Sequence, residues 1–142
     1  MKKLISVSIL AFMLVSFFSF SANGQTATVA KKAVAKAAKI EVYYFHYSRR
    51  CITCNAVESE SKASISALYP AQFKNGQITF KSVNLDEDTS STIAKKCQAE
   101  GQALLVISGK KRTDLTDKGF MYAKSNPDKL KAELKKTIDA LL

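Results

Sequence analysis

The 142-residue chain has no tryptophan, one histidine, two prolines and three cysteines. Beyond Gly24 it also has no apolar run long enough to cross a bilayer, which argues against stable membrane insertion of a mature chain. Lys and Arg number 22 against 12 Asp and Glu, which gives a formal charge of +10. The basic residues are not interleaved with aromatic residues on one face, however, so we expect no nucleic-acid partner. No internal repeat is present.

The N-terminus has the pattern of a secretory signal peptide. Basic residues precede an apolar run from Leu4 to Phe20, and small residues follow it. We therefore predict a signal peptide over residues 1–24 and a periplasmic or secreted mature protein, in a compartment where disulfides persist. No cysteine lies near the cleavage point, so a lipoprotein anchor is not expected. An uncleaved N-terminal membrane anchor is the alternative.

The mature chain is expected to consist of a leader and one α/β domain. Residues 25–38 are rich in Ala, Lys and Thr without an apolar period, so they are predicted to be a flexible leader. Residues 39–142 are predicted to form the domain. Its first element is the apolar run Val42–Phe45, which is typical of a central strand buried on both faces. Apolar spacings of three and four then predict a helix from about residue 51 to 69, which Pro70 ends.

The remaining pattern completes a mixed sheet. Residues 78–85 alternate apolar and polar, which indicates a second strand. A short helix follows and is expected to end at Gly101. Residues 103–107 and 112–115 form two strands joined by a tight hairpin turn, and Asn126-Pro127 begins a closing helix. The order β-α-β-α-β-β-α predicts a central mixed sheet flanked by helices, with parallel pairing across each helix crossover and an antiparallel closing hairpin.

The chemical feature of the chain is Cys51-Ile52-Thr53-Cys54, placed between the first predicted strand and helix. Two thiols at this spacing can close a small disulfide. Unpaired backbone N–H groups and the positive end of the helix dipole stabilise a thiolate at Cys51, and the thiolate is the nucleophile of disulfide exchange. Cys51 is therefore predicted to attack and Cys54 to resolve the mixed disulfide. A passive structural disulfide is the alternative, although so short a loop removes little chain entropy.

The element order with C-x-x-C at the first helix resembles the thioredoxin superfamily. Val83-Asn84-Leu85-Asp86 is similar to the V-N-x-D end of a family strand, and Gly101 precedes an apolar strand as in the family's G-x-P-T region. The resemblance implies a thioredoxin-like fold, thiol–disulfide oxidoreductase activity without a cofactor, and a monomer with protein disulfide or dithiol partners. The chain departs from the family at Arg50, which replaces Trp, and at Ala103, which replaces the cis-proline beside the disulfide. The family's buried acid is also missing, since Val42 falls near its place.

Four further residues are candidates for supporting roles. Arg49 and Arg50 place positive charge beside Cys51 and are expected to lower the pKa of its thiol, unless both are simply solvated. His46 is either a proton donor or acceptor near the thiols or an ordinary residue at the strand end. Cys97 is an unpaired thiol that serves either as a small buried hydrophobe or in accessory oxidation.

Two other functions remain open from the sequence. In the first, Cys51 and Cys54 bind a soft metal or metalloid together with His46 or Cys97. The chain lacks the H-x-x-x-C and C-x-x-x-C spacings of copper chaperones, and no metal site is predicted. In the second, the domain is a non-catalytic adaptor.

Overall fold

The computed structural model of the chain describes residues 38–142, which belong to one compact unit. The predicted signal peptide, and the predicted leader apart from its last residue, lie outside the described residues. None of the helices within residues 38–142 is long and apolar enough to cross a membrane. The elements in chain order are β1 (Ile40–His46), α1 (Ile52–Leu68), α2 (Pro70–Lys74), β2 (Ile78–Asn84), α3 (Ser90–Cys97), β3 (Ala103–Ser108), β4 (Lys111–Asp114), α4 (Thr116–Tyr122) and α5 (Pro127–Asp139).

A four-stranded mixed sheet in the order β2-β1-β3-β4 forms the centre of this α/β domain, and helices flank it. Strand β1 pairs in parallel with β2 and antiparallel with β3. Its alternate side chains enter two separate cores, with Val42 and Tyr44 in one and Tyr43 and Phe45 in the other. The prediction of a central strand buried on both faces is confirmed, and the whole is compatible with a thioredoxin-like fold.

The predicted parallel pairing across the second helix crossover is wrong. Strand β3 runs antiparallel to β1, so that Ala103 lies opposite Phe45. Helix α3 is short, since its eight residues span about 12 Å whereas a seven-residue strand spans about 23 Å, and it does not carry the chain back along the full length of the sheet. The chain therefore enters β3 at the end of the sheet where β1 and β2 finish.

The two cores are covered unequally by the helices. The larger core holds apolar residues of α1 and α5, whereas the smaller one holds Ala94 and Cys97 of α3. Helix α5 begins as predicted, because the Asn126 side chain accepts a hydrogen bond from the Lys129 amide at 3.2 Å. Helix α3 does not extend to Gly101. It ends at Cys97, and the C-cap residue Gln98 adopts the left-handed conformation with φ 54° and directs its amide toward carbonyls of the last turn.

The sequence did not predict helix α4, which is hydrogen-bonded to the start of β3 and packs against α1. The Leu115 amide donates to the Leu104 carbonyl at 2.8 Å, and the Leu104 amide donates to the Thr116 hydroxyl at 3.0 Å. Gly119 lies so close to its neighbours that a Cβ there would be 3.2 Å from Leu104 Cδ2 and from Val57 Cγ1. Glycine thus allows α4 to approach the core.

We expect Gly119→Val to lower the free energy of unfolding by about 1–3 kcal/mol, because both neighbouring side chains are fully buried and cannot move aside. Urea unfolding measures the change. The matched control is Ala132→Val on the exposed face of α5, which adds bulk only to solvent and costs about 0.5 kcal/mol through helix propensity. Equal losses in the two variants would contradict the close packing of α4.

Candidate active site

The two cysteines of the C-x-x-C segment form a disulfide at the start of α1, with their Cα atoms 5.0 Å apart. Cys51 is the N-cap of the helix, and its sulfur accepts a hydrogen bond from the Cys54 amide at 3.1 Å. Cys51 is exposed, whereas Cys54 is only 4% exposed. The pair is therefore asymmetric, with one sulfur open to a partner and the other protected one turn inside the helix.

The N-cap position of Cys51 has a direct chemical consequence. After reduction, a thiolate at this sulfur accepts hydrogen bonds from the unpaired amides of the first helical turn. The positive end of the helix dipole also stabilises its charge. Both interactions favour ionisation of the exposed thiol. The arrangement can thus supply a nucleophilic sulfur at the surface and a second sulfur within bonding distance of it.

Polar contacts from the end of β2 anchor the loop that leads into the cysteines. The Ser48 amide donates to Asp86 Oδ2 at 2.7 Å, and Asn84 Nδ2 donates to Ser48 Oγ at 3.0 Å. The Leu85 amide donates to the His46 carbonyl at 2.7 Å, which extends the β1–β2 ladder beyond the strands. The segment Val83–Asp86 therefore holds the cysteine loop in place, and hydrogen bonds from Ser48 lower the pKa of the Asp86 carboxyl.

The two arginines before Cys51 have different environments. Arg49 is exposed, and no ion pair to it is formed within residues 38–142. Arg50 forms an ion pair with Glu58 of α1, and its guanidinium carbon lies 5.7 Å from the centre of the Tyr44 ring. The expected lowering of the pKa of the Cys51 thiol by both arginines stays a prediction. Sequence reasoning missed Glu58, although its place seven residues after Cys51 puts it near the same face of the helix.

His46 lies at the end of β1 and is 9% exposed. Its Nδ1 is 3.0 Å from the Tyr47 carbonyl, and its ring stacks on Tyr44 with the centroids 5.8 Å apart. The ring also lines a cleft of about 420 Å³ together with Arg50 and Glu58. His46 thus belongs to the same polar group as the Arg50–Glu58 pair.

Cys97 lies apart from this group, in the smaller core among Phe45, Ala94 and Leu105. Burial raises the pKa of its thiol, which makes it a poor nucleophile. Within residues 38–142 no three His, Cys, Asp or Glu side chains are grouped closely enough to hold a metal ion. The structure therefore does not bring His46 or Cys97 together with the disulfide as a ligand set.

The loop before β3 lies beside the disulfide. Gln102 Nε2 is 3.9 Å from the Cys54 sulfur, a contact that sequence reasoning missed although it adjoins Ala103. The Tyr47 hydroxyl lies 3.7 Å from the position that a Cβ would take at Gly101. Ala103 itself is buried at the start of β3. The loop thus contacts the buried sulfur of the cysteine pair and the exposed Tyr47.

Two clefts flank this loop. The larger, of about 630 Å³, runs from Tyr47 to Glu100 past the acidic residues that follow β2. The smaller, of about 400 Å³, lies between Gln102 and the first residues of α4. Tyr47 and Ile52, which are 42% and 74% exposed, add two exposed large apolar side chains near the disulfide.

Comparison with known proteins adds no family assignment. The chain matches no protein-family model, and no curated protein is significantly similar to it.

We expect the three thiols of the reduced protein to react with iodoacetamide in the order of their exposure. Cys51 should be modified first, whereas Cys54 and Cys97, both less than 5% exposed, should react fully only after denaturation. Mass spectrometry of the peptides, sampled over time, identifies each site. The control is Cys51→Ser, which should remove the fast phase. A fast phase at Cys97 would contradict its burial.

Proposed function

We propose that the protein is a thioredoxin-like thiol–disulfide oxidoreductase that acts on protein disulfides or dithiols through Cys51 and Cys54. The observation that carries the proposal is the asymmetry of the pair, in which the exposed sulfur caps a helix and the partner sulfur is buried behind it. A disulfide that served only to cross-link the chain would gain little from this position, since so short a loop constrains the unfolded state weakly.

In the reducing direction, the Cys51 thiolate attacks one sulfur of a substrate disulfide. A Cys51–substrate bond forms, and the other substrate sulfur leaves as a thiolate. The Cys54 thiolate then attacks the Cys51 sulfur, which forms the Cys51–Cys54 bond and releases the second substrate thiolate. Two electrons pass to the substrate, and the two protons given up by the cysteines are balanced by those the released thiolates take up. The reverse sequence oxidises a substrate dithiol.

The proposed setting is outside the cytoplasm, in the periplasm or the secreted fraction. The signal-peptide pattern of residues 1–24 supports this setting, and so does a dithiol chemistry suited to a compartment where disulfides persist. N-terminal sequencing of the exported chain tests the proposal. A start near residue 25 is expected, and an intact Met1 on a membrane-bound protein would contradict it.

The catalytic proposal is tested by replacing each cysteine with serine and measuring insulin reduction with dithiothreitol as the electron donor. Cys51→Ser should abolish activity because it removes the nucleophile. Cys54→Ser should accumulate a mixed disulfide that mass spectrometry detects, because the resolving step is missing. The matched control is Cys97→Ser, which should retain the parent rate. Unchanged activity in Cys51→Ser would show that the proposal is wrong.

We also expect weak activity on general protein disulfides, because Ala103 stands where the family has proline. A cis bond before a residue other than proline costs about 2.5–4 kcal/mol, so the Gln102–Ala103 bond is expected to be trans and to offer substrate a different backbone. Ala103→Pro should then reduce insulin faster than the parent. A parent that already matches an ordinary thioredoxin would contradict this role of Ala103.

A further inference from the structure

The polar group formed by His46, Arg50 and Glu58 contains an ion pair that takes no part in the proposed exchange steps. Arg50 directly precedes Cys51 in the chain, and its guanidinium binds Glu58 rather than extending into solvent. Glu58 lies in the second turn of α1, about 10 Å along the helix axis from the N-cap. The pair therefore connects the cysteine loop to the helix that begins at Cys51.

The guanidinium is confined by more than this pair. It lies over the ring of Tyr44, whose side chain is fully buried in the central strand. The Arg50 and Glu58 side chains are only 23% and 26% exposed, so solvent screens their charges less than those of a surface pair. Within residues 38–142 the buried Arg50 Nε has no hydrogen-bond partner, so the contacts that hold the guanidinium are those with Glu58 and with the Tyr44 ring.

The ionisation of the Glu58 carboxyl is consistent with its ion pair to Arg50. Burial opposes ionisation of its carboxyl, but interactions with the Ser82 hydroxyl and with the Arg50 guanidinium outweigh burial and lower the pKa. Glu58 is therefore an anion at neutral pH, and its charge offsets the charge that Arg50 would otherwise present near the disulfide.

We propose that Glu58 is a positioning residue for disulfide exchange, which binds Arg50 against Tyr44 and thereby limits the positive charge that acts on the Cys51 thiolate. The proposal rests on the proposed oxidoreductase function for its biological meaning. The effect that it predicts is a change in the pKa of the Cys51 thiol, which can be measured without turnover. In this arrangement the N-cap and Arg49 favour the thiolate, whereas Glu58 moderates the contribution of Arg50.

Other ionisable groups lie around this end of the sheet and remain unchanged in the test. They come from the cysteine loop, from β1 and from the loop after β2, and they are Arg49, His46, Tyr44, Asp86 and Glu87. Glu60 is a useful comparison because it lines a different cleft, between α1 and the start of α5. It lies on the same helix two residues from Glu58, and no ion pair is formed between it and Arg50.

The experiment measures the rate of Cys51 alkylation against pH in the reduced full-length protein, with mass spectrometry to assign the site. Glu58→Gln should lower the pKa of Cys51 and raise its alkylation rate about threefold at pH values below that pKa. Arg50→Gln should shift the pKa in the opposite direction, and the double variant should return near the parent value. Glu60→Gln should change the rate much less.

Glu58→Asp separates positioning from charge alone. It keeps the negative charge but shortens the side chain, so the contact with Arg50 is lost. If Glu58 positions Arg50, this variant also lowers the pKa of Cys51. A parent-like profile for Glu58→Asp combined with a shifted profile for Glu58→Gln would show an effect of charge only, and would overturn the proposal. An unchanged profile for Glu58→Gln would overturn it as well.

The redox equilibrium gives a second readout. In glutathione buffers, Glu58→Gln should make the Cys51–Cys54 disulfide about threefold easier to reduce, because the more stable thiolate favours the dithiol. A thermal melt shows whether each variant is folded. Failure of these shifts with Cys51→Ser still inactive on insulin would refute the positioning role alone. Retained insulin reduction by Cys51→Ser would refute the oxidoreductase proposal instead.

Discussion

Strand β1 is hydrogen-bonded on both edges and covered on both faces, and the place of the disulfide follows from this double constraint. A shift of one residue in register would exchange the side chains that fill the two different cores, so the loop after His46 leaves the sheet at a fixed point. The neighbouring strands both contribute contacts there. Asn84 and Asp86 hold Ser48 from the end of β2, and Gln102 reaches Cys54 from the start of β3. The antiparallel direction of β3 is what brings its first residues to this edge.

In the proposed mechanism, the charges of the cysteine loop balance two requirements of a thiol that exchanges with disulfides. A lower pKa increases the fraction of thiolate at neutral pH, but it also reduces the nucleophilicity of the sulfur, so the best attacking thiol has a pKa near the ambient pH. The N-cap position of the exposed Cys51 favours its thiolate, and the two preceding arginines are predicted to favour it as well. The proposed compensation of the Arg50 charge by Glu58 has the opposite effect, because it raises the pKa of the Cys51 thiol. In the proposed mechanism, this opposition keeps Cys51 both ionised and reactive.

Local pattern was enough to predict the features that depend on neighbours in sequence. The run Val42–Phe45, the start of α5 at Asn126 and the helix that follows Cys51 all appear as predicted. The partner of Arg50 was not predictable in this way, because it depends on how the loop folds back on α1. Helix α4 was missed for a related reason. Its seven residues are fewer than the ~12–15 that an isolated helix needs, so docking of Gly119 on Val57 and Leu104 stabilises it rather than propensity.

The loop before β3 shows how these unpredicted contacts affect the site. Without a proline at position 103, the conformation of the loop depends on side chains from three other parts of the domain. Gln102 contacts Cys54 of α1, Tyr47 of the cysteine loop lies over Gly101, and the Leu104 amide is bound by Thr116 at the start of α4. The loop beside the disulfide is therefore held from both sides, by α1 and by α4. Close packing of α4 at Gly119 thus contributes to the geometry of the candidate site as well as to stability.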